Sequence, residues 1–191
     1  RILHLLSMIL MTSLSWGQRF EAGIIAGVNA AQIDGDENRG YNKLGINAGL
    51  FGNAIITDQI KVGVELLYSE RGSQSELSFG VPDLQTAIST RYATVPILFR
   101  YQDWFRDGRN ILEFHGGVSY GRLLSAENKN DPNDEVVALF KKDDFSAILG
   151  ITYNFSEITG IQVRWNSSIN FLFNTDDHPT INARSLRSYH L

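Results

Sequence analysis

The feature that most constrains the fold is the alternation in residues 60–72, IKVGVELLYSERG. One set of alternate positions is apolar: Ile60, Val62, Val64, Leu66 and Tyr68. The other set is mainly polar or small: Lys61, Gly63, Glu65, Ser69 and Arg71, with Leu67 as the exception. Because side chains alternate between the faces of a strand, the pattern predicts a strand with one apolar and one polar face. It is longer than an ordinary strand of about 5–6 residues and matches the about 9–11 residues that cross a bilayer.

The same alternation recurs along the chain and predicts eight strands. They cover residues 19–33, 43–56, 60–72, 90–101, 111–124, 144–155, 158–170 and 184–191. Their connections are alternately long and short, as in outer-membrane barrels with short periplasmic turns and longer outside loops. We therefore expect an all-β, eight-stranded, antiparallel up-and-down transmembrane β-barrel with both termini periplasmic and a truncated last strand. The outside loops are residues 34–43, 73–89, 125–143 and 170–183, and the first and the last two of them are predicted to be polar surface loops.

The N-terminal segment, RILHLLSMILMTSLSWG, differs from the rest of the chain. It has one basic residue, a short apolar run, and small residues at Ser15 and Gly17, which fit cleavage before Gln18. We predict a signal peptide over residues 1–17 and the barrel over 18–191; a buried N-terminal helix is the alternative. No later stretch is apolar for the about 18 residues that a membrane helix needs.

Composition excludes several classes of function. The net charge is −4 with scattered Lys and Arg, so no basic patch points to a nucleic-acid partner. The absence of cysteine excludes disulfides, thiolate metal sites and a thiol nucleophile. The four His are too dispersed for a metal site. Asp34, Asp36 and Asn38 mimic the start of a calcium loop, but Arg39 stands where glycine is needed. We expect no cofactor.

The pattern alone leaves open which face points inward. A soluble periplasmic, lipocalin-like barrel binding an apolar ligand would bury the apolar face, whereas a membrane barrel would bury the polar one. Two observations favour the membrane. The polar face is rich in small residues, which suit the crowded interior of a small barrel. Aromatic residues toward strand ends on the apolar face fit the girdles of membrane barrels: Tyr68, Tyr101, Tyr120, Tyr153, Phe155 and Trp165.

Four charged residues then point into the lumen. Glu65, Arg100, Glu113 and Arg164 each lie several residues from a short turn, so we expect them at similar depth near the periplasmic end. Facing lipid, each Arg would cost about 2–4 kcal/mol near the bilayer midplane. We predict that they pair across the lumen in a structural polar network, with His115 on the same face, and plug the barrel.

Two segments resemble a known family. ELLYSERG (65–72) is similar to the E-L-x-Y-x-x-x-G signature of the PorT-type outer-membrane β-barrel domain of Bacteroidota. YATVPILFRY (92–101) is similar to that family's Y-L-x-I-P-L-L-x-K-Y strand, with Ala93 for the usual Leu. The resemblance implies an eight-stranded outer-membrane barrel with a signal peptide and no defined activity, and its namesake is linked to protein export. Members usually finish with a full last strand and a terminal aromatic, whereas this chain ends at Tyr189-His190-Leu191.

An enzyme is the weakest alternative. The segment 117–121 matches G-x-S-x-G, but a nucleophile elbow needs a turn from strand into helix and here the strand continues. A lipid-modifying barrel would use Ser119 and His115, and both are expected to face inward. We therefore predict a non-enzymatic outer-membrane barrel, structural or an accessory subunit of an outer-membrane or secretion assembly. Its partners are membrane lipid and proteins that contact the outside loops. An open pore is disfavoured because side chains fill a barrel of this size.

Overall fold

Eight antiparallel strands form a closed barrel in a computed structural model of the chain, which describes residues 19–34, 43–74, 87–106, 109–128, 137, 139–173 and 186–191. The strands are β1 (Arg19–Asp34), β2 (Lys43–Ile55), β3 (Ile60–Gln74), β4 (Ala87–Arg106), β5 (Arg109–Asn128), β6 (Asp143–Asn154), β7 (Gly160–Ser168) and β8 (Arg187–His190). Each strand pairs with its neighbours in sequence, and β8 closes the barrel against β1. The predicted fold class is confirmed.

The hairpin of β4 and β5 is longer than the sequence predicted. It pairs from Ile88↔Asn128 down to Arg106↔Arg109, whereas the prediction ended these strands near Thr90, Tyr101 and Leu124. The extra positions include outward polar side chains, such as Asp103 and Glu127, which interrupt the apolar alternation without interrupting the backbone ladder. The last strand, β8, covers Arg187–His190, and residues 184 and 185, where the prediction began it, lie outside the described residues.

Burial alternates along the strands with the polar face inside. Ile24 is 81% exposed and Val28 74% exposed on the outer face, whereas Glu65 is fully buried and Arg100 is 5% exposed. This arrangement is the reverse of a soluble ligand-binding barrel, because such a barrel turns its apolar residues inward. The predicted assignment of the two faces is therefore confirmed, and the lipocalin-like alternative is wrong. Within the described residues, no helix is long and apolar enough to cross a membrane.

Two apolar elements interrupt the polar lining. Leu98 and Ile148 are buried and stand in register on either side of Gly117, and Leu67 is buried in β3. A larger apolar cluster lies at the end of the barrel that carries the long connections. Its members, which we call the apolar cap, are Ile33, Ile88, Tyr92, Val137, Phe140, Leu172, Phe173 and Leu186.

The apolar cap corrects the prediction that the long connections are simply polar surface loops. Phe140 lies within residues 125–143 and Leu172 within 170–183, yet both are buried. Backbone hydrogen bonds hold them: Lys141 N donates to Leu172 O at 2.7 Å and Leu172 N to Leu186 O at 2.8 Å. Residues 35–42, 75–86, 129–136 and 174–185 and the predicted signal peptide lie outside the described residues; of the calcium-like segment, only Asp34, the last residue of β1, is described.

Candidate functional site

The lumen is crossed near its short-turn end by an ion pair between β3 and β7. Glu65 accepts hydrogen bonds from Arg164 Nη1 at 2.7 Å and Nη2 at 2.9 Å. It also accepts one from Arg100 Nη2 at 2.6 Å. In the closed strand order, three strands separate β3 from β7 on either side. The Glu65–Arg164 pair therefore joins opposite walls of the barrel.

The contacts continue from this pair around the wall. Arg100 Nη1 donates to Glu113 at 2.7 Å, and Lys61 Nζ lies 4.0 Å from the other Glu113 oxygen. Lys61 in turn donates to both oxygens of Glu21 at 2.8 Å, and Asn53 Nδ2 contacts Glu21 at 3.5 Å. We refer to Glu21, Lys61, Glu65, Arg100, Glu113 and Arg164 as the charged network. It connects β1, β3, β4, β5 and β7.

The network is electrically balanced. Three carboxylates face two guanidinium groups and one ammonium group, so its formal charge is zero. Buried charges are tolerated when they are paired and hydrogen-bonded, and removal of one partner leaves an uncompensated charge. A balanced set of paired charges across the lumen presents no single-sign field to attract an ion.

Inward glycines provide the room for the large charged and aromatic side chains. A Cβ on Gly63 would lie 3.2 Å from Arg100 Nε and would collide with Asn53. A Cβ on Gly150 would collide with the His115 ring, with Cε1 only 2.9 Å away. The abundance of small residues on the polar face therefore has a specific cause at these two positions: each one leaves space for a neighbour.

His115 lies beside the charged network, at 4% exposure, and is not one of its links. It stands in register with Arg100, and its Nδ1 is 3.5 Å from Thr152 Oγ1. Among the hydrogen bonds of the described residues, none joins His115 to the four charged residues named with it in the sequence analysis. The structure thus brings Glu65, Arg100, Glu113 and Arg164 into direct contact and places His115 next to them.

A second polar cluster, which the sequence analysis did not identify, lies toward the long-connection end. Arg71 Nη1 donates to Asp144 at 2.7 Å, with both side chains almost fully buried. Ser146 also donates to Asp144 at 2.9 Å, and Arg71 Nε donates to Ser69 at 3.2 Å. The guanidinium carbon of Arg71 stands 4.8 Å from the centre of the Tyr92 ring, a cation–π distance. The sequence pattern placed Arg71 on the polar face of β3, but no pattern within that strand indicated that its partner is Asp144 on β6.

A small cavity lies between the two clusters. It is lined by side chains that include Ser69, Arg71, Arg164 and His190, and the cavity volume is about 10 Å³. That is about the space that one water molecule needs. Within the part of the chain that the structure describes, the lumen holds two ion-paired clusters with this small cavity between them, and the apolar cap lies above.

The structure contains no support for the hydrolase alternative. Ser119 and His115 are both buried in the lumen wall, and β5 runs as a strand through residues 117–121 without the turn that a nucleophile elbow needs. In the described ranges, no group of three or more His, Asp or Glu side chains could hold a metal ion.

Comparison with protein families gives one match. The family model described as outer membrane protein beta-barrel domain matches residues 12–174, which includes β1 to β7 and the whole charged network. A search of curated proteins gives no match. The apolar outer face, the polar lumen and this family match all indicate a location in the outer membrane.

Proposed function

Because the chain belongs to the outer membrane protein β-barrel domain family, we propose that it is a closed, non-enzymatic barrel that serves as a structural or accessory subunit of an outer-membrane assembly. The barrel anchors the protein in lipid, and its long connections contact other proteins. Protein secretion is the process suggested by the resemblance of residues 65–72 and 92–101 to PorT-type domains.

The observation that carries this proposal is the ion pair across the lumen. A transport barrel needs a continuous path, and the Glu65–Arg164 contact stands in that path with both side chains buried. An enzyme needs an accessible reactive group, and Ser119 and His115, the two reactive side chains considered in the sequence analysis, are both buried. The outer surface and the long connections therefore remain for contact with other molecules. Loops on a rigid scaffold are where binding residues are commonly found.

The proposed orientation follows from the connections. The turns at 56–59 and 155–159 are short, and those after β1, β3, β5 and β7 are long. Outer-membrane barrels place short turns in the periplasm. The long connections, which include the outside loops predicted at residues 34–43, 73–89, 125–143 and 170–183, would then face the cell exterior. Membrane lipid surrounds the barrel, and protein partners meet it at this end.

The first experiment is affinity purification of the tagged protein from native outer membranes in mild detergent. We expect a stoichiometric protein partner, and we expect its loss when residues 75–86 are replaced by a Gly/Ser linker of equal length. Replacement of the periplasmic-side turn at 56–59 is the matched control and retains the partner. Recovery of a heat-modifiable monomer alone would contradict the subunit role.

A second experiment tests closure. The purified barrel in a planar bilayer is expected to give no stepwise conductance, because the charged network and the apolar cap both obstruct the lumen. A steady single-channel current from the unmodified protein would overturn the proposal and indicate a pore.

A third experiment tests the orientation of the barrel. An epitope is inserted between residues 129 and 136, and protease is added to intact cells. We expect the protease to cleave the epitope from outside the cell.

A further inference from the structure

The outer surface of the barrel has a groove where β4, β5 and β6 meet. Its volume is about 410 Å³, and its apolar walls are Phe99, Tyr101, Phe114 and Leu149. The floor is Gly116, the outward position of β5 between Phe114 and Val118. The register explains the groove, because Phe99↔Gly116↔Leu149 are paired across three adjacent strands. A position without a side chain thus lies between two large apolar ones.

The barrel wall does not require glycine at this position. A Cβ on Gly116 would meet Leu149 Cδ2 at 3.1 Å and the Ile148 carbonyl oxygen at 3.5 Å. The closer contact is the end of a flexible side chain, which can move. The neighbouring inward Gly117 is different, since its Cβ would collide with the backbone at Ile97. The close approach of two strands explains why residue 117 is glycine. No such contact requires glycine at residue 116, and the absence of a side chain there leaves the groove open.

The groove is continuous with the apolar belt that faces lipid. Phe99 and Leu149, its opposite walls, are 52% and 60% exposed on that belt. The groove is open toward the lipid, and its walls are almost entirely apolar. A flexible hydrocarbon chain matches that chemistry, and hydrocarbon chains are what the belt contacts along its whole height.

One end of the groove reaches the short-turn rim of the barrel. Tyr101, at that end, stands in register with Ile60, the first residue of β3. Its hydroxyl hydrogen-bonds Asp103, an exposed carboxylate that also accepts from Gln59 Nε2 at 2.7 Å. In a membrane barrel the short-turn rim is expected at the level of the lipid headgroups, so this anionic group would complement a cationic amine there.

We propose that this groove binds one acyl chain of a phosphatidylethanolamine molecule from the leaflet at the short-turn side, with the amine of its headgroup near Asp103. In the orientation proposed above, this is the periplasmic leaflet. The binding itself does not depend on that orientation or on any protein partner. The lipid fills the space that Gly116 leaves and completes the outer surface of the β4–β5–β6 wall.

The test uses the barrel reconstituted in vesicles of palmitoyl-oleoyl phosphatidylethanolamine and phosphatidylglycerol, with a trace of phosphatidylethanolamine carrying a diazirine on its acyl chain. After irradiation, mass spectrometry maps the labelled residues. We expect labelling concentrated at Phe99, Phe114 and Leu149, and its loss to the level of the rest of the belt in Gly116→Leu. Gly52→Leu is the matched control, because Gly52 is an outward, exposed glycine with no heavy atom within 4 Å of a Cβ; it retains the wild-type pattern.

Other outcomes overturn the proposal. Uniform labelling around the belt, or unchanged labelling in Gly116→Leu, would show that the groove holds no particular lipid. A cross-linked dimer that Gly116→Leu removes would show that a second copy of the chain occupies it. If Gly116→Leu does not give the heat-modifiable folded form, Leu149→Trp fills the groove from its opposite wall and is read in the same way. A probe on phosphatidylglycerol that labels equally well would remove the role of Asp103.

Discussion

The two ends of the lumen are closed by different physical means. At the short-turn end, six charged side chains on five strands form the charged network. At the long-connection end, one ion pair, Arg71–Asp144, lies beneath the apolar cap of eight residues. At both ends, buried side chains from several strands meet inside the barrel, but one end depends on electrostatic pairing and the other mainly on apolar burial.

The contrast shows that ion pairs suit the regular strands of the wall, whereas apolar packing suits the less regular connections. Charged side chains that arise from rigid strands need little further ordering to meet, so regular wall positions suit ion pairs. The connections contribute less regular backbone, and apolar packing is non-directional and tolerates that irregularity. The apolar cap also gives the long connections a hydrophobic attachment to the barrel, independent of the ion pairs below.

The largest expected effect comes from the centre of the charged network. Glu65→Ala leaves Arg100 and Arg164 without their shared carboxylate in a buried site, so we expect a loss of about 3–5 kcal/mol in the free energy of unfolding. Urea unfolding in lipid vesicles, followed by tryptophan fluorescence, measures it. The control is Glu157→Ala, an exposed carboxylate in the 155–159 turn, which leaves the midpoint unchanged. Equal midpoints for the two variants would show that the network does not stabilise the barrel.

The apolar cap is tested by Leu172→Ala. Truncation of a buried Leu costs about 2–5 kcal/mol, depending on how far the site collapses. The expected result is a lower unfolding midpoint together with faster proteolysis of the 170–183 connection in the folded protein. Leu66→Ala, on the lipid-facing surface, serves as control and leaves proteolysis unaltered. If Leu172→Ala changes neither measurement, the cap does not hold the connections.

A smaller effect is expected at the second ion pair. Asp144→Asn removes the charge that faces Arg71, but Arg71 retains Ser69 and the Tyr92 ring. The expected loss is about 1.5–3 kcal/mol, the contribution of a hydrogen bond to a charged group. Asp143→Asn, on the outer surface of the same strand, is the neighbouring control. A loss for Asp144→Asn as large as that for Glu65→Ala would show that the two ends are equally dependent on charge.

The smallest effect is expected when both partners across the lumen are replaced. In the double variant Glu65→Met, Arg164→Met, Arg100 keeps its contact with Glu113 and no charge is left unpaired. Replacement of a buried ion pair by apolar residues of similar size is often nearly neutral. We expect a midpoint close to that of the unmodified protein and well above that of Glu65→Ala. A double variant as unstable as the single one would mean that the pair itself, and not the avoidance of a lone charge, supports the barrel.

Sequence reasoning reached the barrel and the lumen-facing charges because both depend on local periodicity. Alternation along each strand assigns Glu65 and Arg164 to the polar faces of their own strands, and this assignment does not depend on which strand lies opposite. It missed the Arg71–Asp144 pair, since the polar face of a strand says nothing about which residue faces it across the lumen. It also treated residues 125–143 and 170–183 as polar, because short apolar pairs such as Leu172-Phe173 carry no period.

The sequence by itself determined that this chain has long two-faced strands, and that the charged face must avoid lipid. It predicted the presence of an internal network because burying unpaired charge is costly. Only the tertiary structure decided which charges meet: residues 65 and 164 contact each other because barrel closure and register place β3 opposite β7. The same register sets Gly116 between Phe99 and Leu149 and so creates the lipid-facing groove. Periodicity is a property of one strand, whereas a lumen and a groove are properties of several strands in a particular alignment.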